Sequence, residues 1–394
     1  MSTNLPTARP EDVGLSAPAL ARLARVLEER VAARHIPGAV ALVARHGKVA
    51  MHQAFGRLDP AAAAPMPPDA IFRIYSMTKP IVSVAAMMLW EQGRFLLSDP
   101  IANYLPEFAA MRVAVPNGET MGETDARRPI TVQDLLRHTS GLTYEFRGST
   151  PLHRAYAEAR VARLRQTNAE HAATLATLPL LHQPGTHWEY SRSTDVLGRL
   201  VEIWSGQPLG TFLAENILAP LGMADAGFAV PEAHHSRIAE PFPRDPETHT
   251  EVTLLNVRRP AVFESGGGGM VGTAMDYARF MQMLLNNGTL GGARLLGRKT
   301  IELMTADHLG GIPDPSGMLP PGHGFGLGFA VRLKAGLAPF PGSVGNYYWG
   351  GAAGTTFWVD PAERLTAVLM IQAPGQREFY RVLFRDLVYA AITD

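Results

Sequence analysis

Strand-forming segments lie at the two ends of this 394-residue chain, and mostly helical segments lie between them. Apolar or alternating runs predict strands at 39–44 and 49–55 near the N-terminus, and at 325–333, 355–359 and 365–372 near the C-terminus. A sheet is stable only when its apolar face is covered, and strands distant in sequence can share one sheet. We therefore predict a single antiparallel sheet that joins both ends of the chain.

The region between the two sets of strands is predicted to be helical. Its periodic segments are 80–92, 131–138, 153–178, 195–205, 209–218 and 274–287. Two more helices flank the strands, one over 18–34 and one near the C-terminus with Phe379, Leu383 and Leu387 on one face. The prediction is an α/β chain of the α+β type. Residues 1–75 and 288–394 would form a sheet domain, residues 76–287 a mostly helical inserted domain, and the active site would lie at their interface.

The composition excludes several classes of function. The chain has no cysteine, which excludes thiol nucleophiles, zinc–thiolate sites, iron–sulfur clusters and disulfides. Basic and acidic residues number 36 each, so the formal net charge is zero and a nucleic-acid partner is not expected. The longest apolar-rich stretch is far shorter than the roughly 20 residues of a membrane-spanning helix, and the first residues do not resemble a signal peptide. We expect a soluble, cytoplasmic protein without a membrane partner.

Residues 76–80, Ser-Met-Thr-Lys-Pro, carry the strongest catalytic pattern. Pro80 is compatible only with the first turn of a helix, so Ser76 lies at the helix start and Lys79 lies one turn further on the same face. A serine hydroxyl becomes a nucleophile when a base removes its proton, and a neutral lysine amine can act as that base. We expect burial and the positive end of the helix to lower the pKa of Lys79.

Two further segments contain candidate site residues. Tyr190 is predicted to lie on a loop before a helix, where a tyrosine can transfer a proton if cations stabilise its phenolate. Packing of Trp188 and Tyr190 as interface aromatics is the alternative interpretation. In the segment 349–352, Trp-Gly-Gly-Ala, two glycines let a ligand or another backbone approach closely. Such an edge strand can donate a backbone N–H to a substrate oxyanion, and a β-bulge is the alternative.

In this order, the Ser-x-x-Lys of 76–79, the Tyr-Ser of 190–191 and the aromatic-Gly-Gly of 349–351 resemble the three signature boxes of the serine β-lactamase and penicillin-binding-protein superfamily. The chain is most similar to its class C-like branch and, within that branch, to family VIII carboxylesterases. Other segments that resemble the family are 135–142, 184–185, 218–223 and 267–270. The resemblance implies a β-lactamase/transpeptidase-like fold.

The resemblance also implies roles for individual residues. Ser76 would be the acylated nucleophile, and Lys79 and Tyr190 would be the coupled proton-transfer pair. The backbone N–H groups of Ser76 and Ala352 would form the oxyanion hole. No metal and no organic cofactor is implied. The expected substrate-binding residues are Trp349, Gly350, Gly351, Tyr144, Tyr75 and Trp188.

Two departures from the β-lactamase pattern bear on the substrate. Arg192 stands where β-lactamases have an asparagine that binds the antibiotic's amide, and Trp349 stands where they have a lysine or histidine suited to its carboxylate. A site without these partners favours an uncharged ester. We predict a serine carboxylesterase that hydrolyses small, uncharged, short-chain esters through an acyl-enzyme on Ser76. The alternatives are a β-lactamase or D-amino-peptide hydrolase, an acyltransferase of the same fold, and a non-catalytic binding protein.

Overall fold

One large antiparallel sheet contains strands from both ends of the chain. The computed structural model describes residues 5–117 and 120–394. Its strands are β1 Gly38–Arg45, β2 Lys48–Gly56, β3 Phe72–Arg73, β4 Arg112–Asn117, β5 Thr120–Asp125, β6 Val271–Gly272, β7 Thr289–Leu290, β8 Ala293–Arg294, β9 His323–Phe325, β10 Ala330–Arg332, β11 Tyr347–Gly350, β12 Thr356–Asp360 and β13 Leu365–Ile371. The large sheet has the order β2-β1-β13-β12-β11-β10-β9. Because β1 pairs with β13, the prediction of a shared sheet is confirmed.

Helices cover both faces of this sheet. They are α1 Ala17–Ala32, α2 Thr78–Glu91, α3 Val132–Leu136, α4 Pro151–Glu158, α5 Asn168–Ala176, α6 Ser193–Ser205, α7 Leu209–Leu213, α8 Ala219–Leu221, α9 Ala274–Leu285, α10 Arg298–Met304 and α11 Arg377–Tyr389. Helices α1 and α11 pack on one face, and α9 packs on the other. Within the described ranges, no helix combines the length and apolarity needed to span a bilayer.

The N-terminal hairpin shows why these residues form strands. All eight residues of β1 are buried because it has a strand on each side and helices on both faces. Its partner β2 is at the edge of the sheet and alternates between buried and more exposed residues. The connecting turn has His46 and Gly47 at φ values of 53° and 76°, the left-handed conformation required by the tightest hairpin turns.

Two predicted segments are interrupted in the structure. The predicted strand 325–333 is instead a hairpin of β9 and β10, because Gly328 adopts a φ of 105° and the chain reverses there. The predicted helix 153–178 consists of α4 and α5, and Arg160 has a φ of 52° between them. In addition, the middle region contains the hairpin of β4 and β5, which helical periodicity did not predict.

The last helix is rotated relative to its predicted orientation. Phe379 is 48% exposed, whereas Tyr380, Phe384 and Val388 are buried against the sheet. Neighbouring residues on a helix are separated by about 100°, so the buried face is shifted by one residue from the predicted one. The same rotation buries Arg385.

A capping box starts α3. The Thr131 hydroxyl accepts a hydrogen bond from the Asp134 N–H, and the Asp134 carboxylate accepts one from the Thr131 N–H. Burial would raise the pKa of Asp134, but bonds from Arg128, Thr131 and Thr139 outweigh it and lower the pKa below its ordinary value. Arg137 adds a second ion pair. These contacts fix the chain just before the segment that carries Tyr144.

The two predicted domains share one continuous apolar core. Val40 of the sheet and Leu135 of the helical region belong to the same cluster of buried side chains. The division into residues 1–75 with 288–394 and residues 76–287 therefore stays a prediction. The core positions the start of α2 close to β11, and the candidate site is located there.

Candidate active site

Ser76 lies on a tight turn at the start of α2. The turn spans Tyr75–Met77, and α2 begins at Thr78. Tyr75 has a φ of 43°, which is unfavourable for a residue with a side chain and is typical of functional turns. Its hydroxyl accepts a hydrogen bond of 2.9 Å from the Leu255 N–H, which anchors the turn. Ser76 thus lies at the helix start, as predicted, and its side chain faces a large cavity.

Lys79 is almost fully buried, and its ammonium has three hydrogen-bond acceptors. Its Nζ donates to Ser76 Oγ at 3.3 Å, to the Tyr144 hydroxyl at 2.9 Å and to the Gly267 carbonyl at 2.6 Å. Burial acts to lower the pKa of Lys79, but the oxygens of Tyr144 and Tyr190 outweigh it and raise the pKa above its ordinary value. The predicted lowering of this pKa is therefore wrong. Lys79 is an ammonium in the free site, which matches its three acceptors.

Tyr190 lies beside Lys79, opposite the start of α2. The Lys79 Nζ is 4.4 Å from the centre of the Tyr190 ring. The Tyr190 hydroxyl accepts a hydrogen bond of 3.1 Å from the indole N–H of Trp349. Three segments separated by more than 100 residues thus meet at one point. A positive side chain and an indole donor are both placed to stabilise negative charge on the Tyr190 oxygen.

Buried hydroxyls hold the Tyr190 loop in place. The Ser191 N–H and Oγ both lie 3.3 Å from His138 Nδ1, and Ser191 Oγ is 2.8 Å from Ser193 Oγ. Ser193 Oγ in turn is 2.8 Å from Ser140 Oγ. This network was not among the predicted site features. The only signal for it was the similarity of the segment 135–142 to the family.

Arg192 takes part in a buried ion-pair network. It donates to Glu145 at 2.7 Å, lies 3.5 Å from Asp195, and its guanidinium stacks 4.7 Å from the Tyr144 ring centre. Burial would raise the pKa of Asp195, but Arg192 and its other partners outweigh it and lower the pKa. Asp195 also accepts a hydrogen bond of 2.9 Å from the Gly267 N–H. The network therefore positions both Tyr144 and Gly267, the two acceptors that hold Lys79.

The glycines after Trp349 permit close backbone packing. A side chain at Gly351 would overlap the Ile74 carbonyl, and one at Gly350 would overlap Arg381. The end of β11 can therefore approach the residues that precede Ser76. Strand β11 lies between β10 and β12, so the prediction of an edge strand is wrong. Ser76 and Ala352 nevertheless face the same cavity.

This cavity has a volume of about 1260 Å³. The predicted site residues on its wall are Ser76, Tyr75, Tyr144, Tyr190, Trp349, Gly350 and Ala352. Trp188 is not on the wall, contrary to the prediction, because it is fully buried behind Tyr190, with 6.2 Å between their ring centres. Gly351 is also absent from the wall because it packs against the backbone of Ile74.

No metal centre accompanies the site. Across residues 5–117 and 120–394, no three histidine or carboxylate side chains are grouped as metal ligands. The polar groups closest to Ser76 are hydroxyls, the Lys79 ammonium and backbone amides. Such groups perform nucleophilic and proton-transfer chemistry with their own atoms.

Known proteins resemble this chain over nearly its whole length. The family model described as Beta-lactamase matches residues 23–390. Protein Rv1367c of Mycobacterium tuberculosis is 36% identical over 86% of this chain and 86% of its own length. Esterase EstB of Burkholderia gladioli is 34% identical over 94% of this chain and 95% of its own length. The solved structure of EstCE1, described as a hydrolase with promiscuous acyltransferase activity, superposes with a TM-score of 0.80. It is 30% identical and covers 94% of this chain and 99% of its own.

The matched family and the superposition confirm the predicted β-lactamase/transpeptidase-like fold, with its antiparallel sheet and flanking helices. The relatives include an esterase of nearly the same length. This chain belongs to the beta-lactamase family.

Proposed function

We propose that the protein is a serine carboxylesterase whose nucleophile is Ser76. The observation that carries the proposal is the position of the Lys79 Nζ, which lies 3.3 Å from Ser76 Oγ and beside Tyr190. Ser76 and Tyr190 both lie on the wall of one large cavity. This arrangement supplies a nucleophile, a proton-transfer pair and a place for an ester in one site. The 34% identity with an esterase supports the same reaction class.

The acylation step can be written with these groups. Ser76 Oγ attacks the ester carbonyl carbon while its proton passes to the Tyr190 oxygen, which the Lys79 ammonium and the Trp349 N–H stabilise as an anion. The former carbonyl oxygen becomes an oxyanion, bound by the N–H groups of Ser76 and Ala352. The bond to the alcohol oxygen then breaks, and that oxygen takes a proton from the Lys79 ammonium, which regains one from Tyr190. Water then attacks the acyl carbon and gives a proton to Tyr190. The bond to Ser76 Oγ breaks, Ser76 regains the proton, and the acid is released.

The wall next to the nucleophile favours a small, uncharged acyl group. Trp349 presents an indole where an antibiotic's carboxylate would need a cation, and its N–H is engaged with Tyr190. Arg192 cannot replace that cation, because Glu145 and Asp195 already bind it. These contacts support an ester in preference to an anionic β-lactam. The similarity to family VIII carboxylesterases is in line with this proposal.

Acyl transfer to an alcohol is the second candidate function. The structural relative EstCE1 is described as a hydrolase with promiscuous acyltransferase activity. In this chain the cavity of about 1260 Å³ has room for an acyl-Ser76 and an alcohol together. The alcohol would then attack the acyl-enzyme in place of water, with Tyr190 again receiving the proton.

A substrate panel tests the proposed function. We expect p-nitrophenyl acetate and butyrate to be hydrolysed faster than the decanoate and far faster than a chromogenic cephalosporin. Adding an alcohol such as 1-butanol measures transfer through the ratio of butyl ester to free acid. A higher kcat/KM for the cephalosporin than for every ester would contradict the esterase assignment.

Selectivity between esters and β-lactams is expected to depend on Trp349. A charged contact to the antibiotic's carboxylate is worth roughly 1.5–3 kcal/mol, or about 10- to 150-fold in affinity. Trp349→Lys is therefore expected to raise the ratio of cephalosporin to p-nitrophenyl butyrate kcat/KM by about tenfold, the lower end of that range, because Arg192 still occupies the asparagine position. Trp349→Phe is the matched control. It removes the N–H to Tyr190 but adds no charge, so both activities should fall together. An unchanged ratio in Trp349→Lys would rule out Trp349 as the selectivity element.

A further inference from the structure

The cavity continues past Trp349 to the opposite face of the sheet. Successive strand residues point to opposite faces, so Tyr348 and Trp349 face different sides of β11. Both line the cavity beside Gly350, whose missing side chain leaves room for the Arg381 guanidinium. On the far side its wall includes Phe340, Tyr348 and Arg385. We name these three residues the Arg385 subsite.

Arg385 is buried among aromatic rings. Its side chain is 4% exposed, and its guanidinium carbon lies 4.3 Å from the ring centre of Tyr348, 4.8 Å from that of Phe340 and 5.1 Å from that of Trp358. Among the described residues, none forms a hydrogen bond or ion pair with this guanidinium, and its Nη1 is buried without a partner. Burial lowers the pKa of Arg385 from its ordinary value, as expected for a cation without a counter-ion.

Three of the four other buried arginines among the described residues are paired with carboxylates, and the fourth, Arg332, donates to the backbone carbonyls of Phe340 and Pro341. Arg45 lies 3.0 Å from Glu363, Arg73 lies 3.1 Å from Glu240, and Arg192 has the ion pairs described above. Buried arginines in proteins are normally paired in this way, because an unpaired buried charge is costly. Arg385 therefore departs from the pattern of its own protein.

The neighbouring carboxylates are already occupied. Asp360 accepts hydrogen bonds from the N–H groups of Ser343, Ala362 and Glu363 and from the Tyr389 hydroxyl. Glu378 pairs with Arg377 and Arg381. These contacts leave Arg385 without an acceptor from either residue.

More donors around the subsite are also unpartnered. The Tyr348 hydroxyl is buried without a hydrogen-bond partner, and burial raises the pKa of Tyr348 to about 12, so it stays a neutral donor. Behind Phe340 lies Arg332, whose guanidinium is 5.1 Å from the same ring and whose Nε has no partner in the described chain. Two cations and a hydroxyl thus surround one aromatic ring without a carboxylate.

We propose that the Arg385 subsite binds a carboxylate on the part of the substrate remote from the scissile ester bond. Three aromatic rings surround the guanidinium, and its coplanar N–H donors match a planar carboxylate. The inference rests on the proposed esterase function and names its substrate class. The group at Ser76 stays uncharged, while the far end of the same molecule carries a free acid, as in the half-esters of dicarboxylic acids.

A kinetic comparison tests the preference. Mono-p-nitrophenyl esters of succinic, adipic, suberic and sebacic acid are compared with neutral p-nitrophenyl esters of equal chain length. We expect at least one half-ester to exceed its neutral counterpart in kcat/KM by about tenfold, the usual gain from a charged hydrogen bond. Arg385→Met should abolish that advantage and leave the neutral esters within about twofold. Tyr348→Phe, which preserves the ring, should reduce the advantage about threefold. Arg298→Met, at an exposed arginine outside the cavity wall, is the matched control.

A binding measurement separates this inference from the esterase proposal. In the Ser76→Ala variant, which cannot turn over, saturating adipate or suberate is expected to raise the Tm by about 2 °C or more, and adding Arg385→Met should remove the shift. Without ligand, Arg385→Met should not lower the Tm, because it removes a buried unpaired charge.

If neutral esters are hydrolysed but no half-ester is preferred and no diacid shifts the Tm, the subsite is wrong and the esterase stands. An Arg385-dependent shift without ester hydrolysis would support the subsite alone. An equal shift with inorganic phosphate would overturn the carboxylate assignment.

Discussion

Ser76→Ala is expected to lose on the order of 10⁴- to 10⁶-fold in kcat for p-nitrophenyl butyrate, because it removes the nucleophile on which the acyl-enzyme forms. The folded structure should be retained, since the substitution deletes one hydroxyl at a partly exposed turn. The anchors of that turn are the Tyr75 hydroxyl bonded to Leu255 and the packing of α2, and both are unchanged. The measurement is steady-state kinetics beside the thermal unfolding midpoint of each protein.

Ser83→Ala is the matched control for this variant. Ser83 lies seven residues further along α2 and is buried, so the same change is made in the same helix away from the cavity. A fluorophosphonate should label the wild type and Ser83→Ala but not Ser76→Ala. If purified Ser76→Ala retains more than a tenth of the wild-type activity, Ser76 is not the nucleophile.

The features predicted well from sequence were those set by local spacing. The relation of Ser76 to Lys79 follows from a separation of three residues and from Pro80 in the first helical turn. The shared sheet follows from apolar runs at both ends of the chain. The first depends on one segment alone, and the second depends on the pattern of apolar runs rather than on particular side-chain contacts.

The partners of Lys79 could not be predicted in the same way. Tyr144 is 65 residues away, and the third acceptor is the backbone carbonyl of Gly267, for which no residue type gives a signal. Without those oxygens, burial alone predicts a lowered pKa for Lys79, and the direction was therefore wrong. An electrostatic shift depends on every neighbour, whereas helical spacing depends on the segment alone.

The substrate-binding residues were also hard to predict, because their exposure depends on how distant segments pack. Trp188 was expected among the substrate-binding residues, but its side chain is fully buried in the core. Arg385 gave no signal, because a one-residue rotation of α11 decides whether it is exposed or buried. Arg385 is informative because it is buried and has no partner, and both are properties of the folded chain.

Lys79→Arg is expected to be nearly as inactive as Lys79→Ala, with kcat/KM for p-nitrophenyl butyrate reduced by about 10²- to 10⁴-fold in both. Arginine keeps the charge, but a planar guanidinium cannot direct three tetrahedral donors at Ser76, Tyr144 and Gly267. It is also larger than lysine in a fully packed site, and it cannot release a proton while the alcohol departs.

The matched control is Lys299→Arg, at an exposed lysine paired with Glu302, where activity should not change. Thermal unfolding of every variant distinguishes lost chemistry from lost structure. A folded Lys79→Arg protein with more than a tenth of the wild-type kcat/KM would show that Lys79 acts through its charge alone. Proton transfer would then be assigned to Tyr190 without a contribution from the lysine proton.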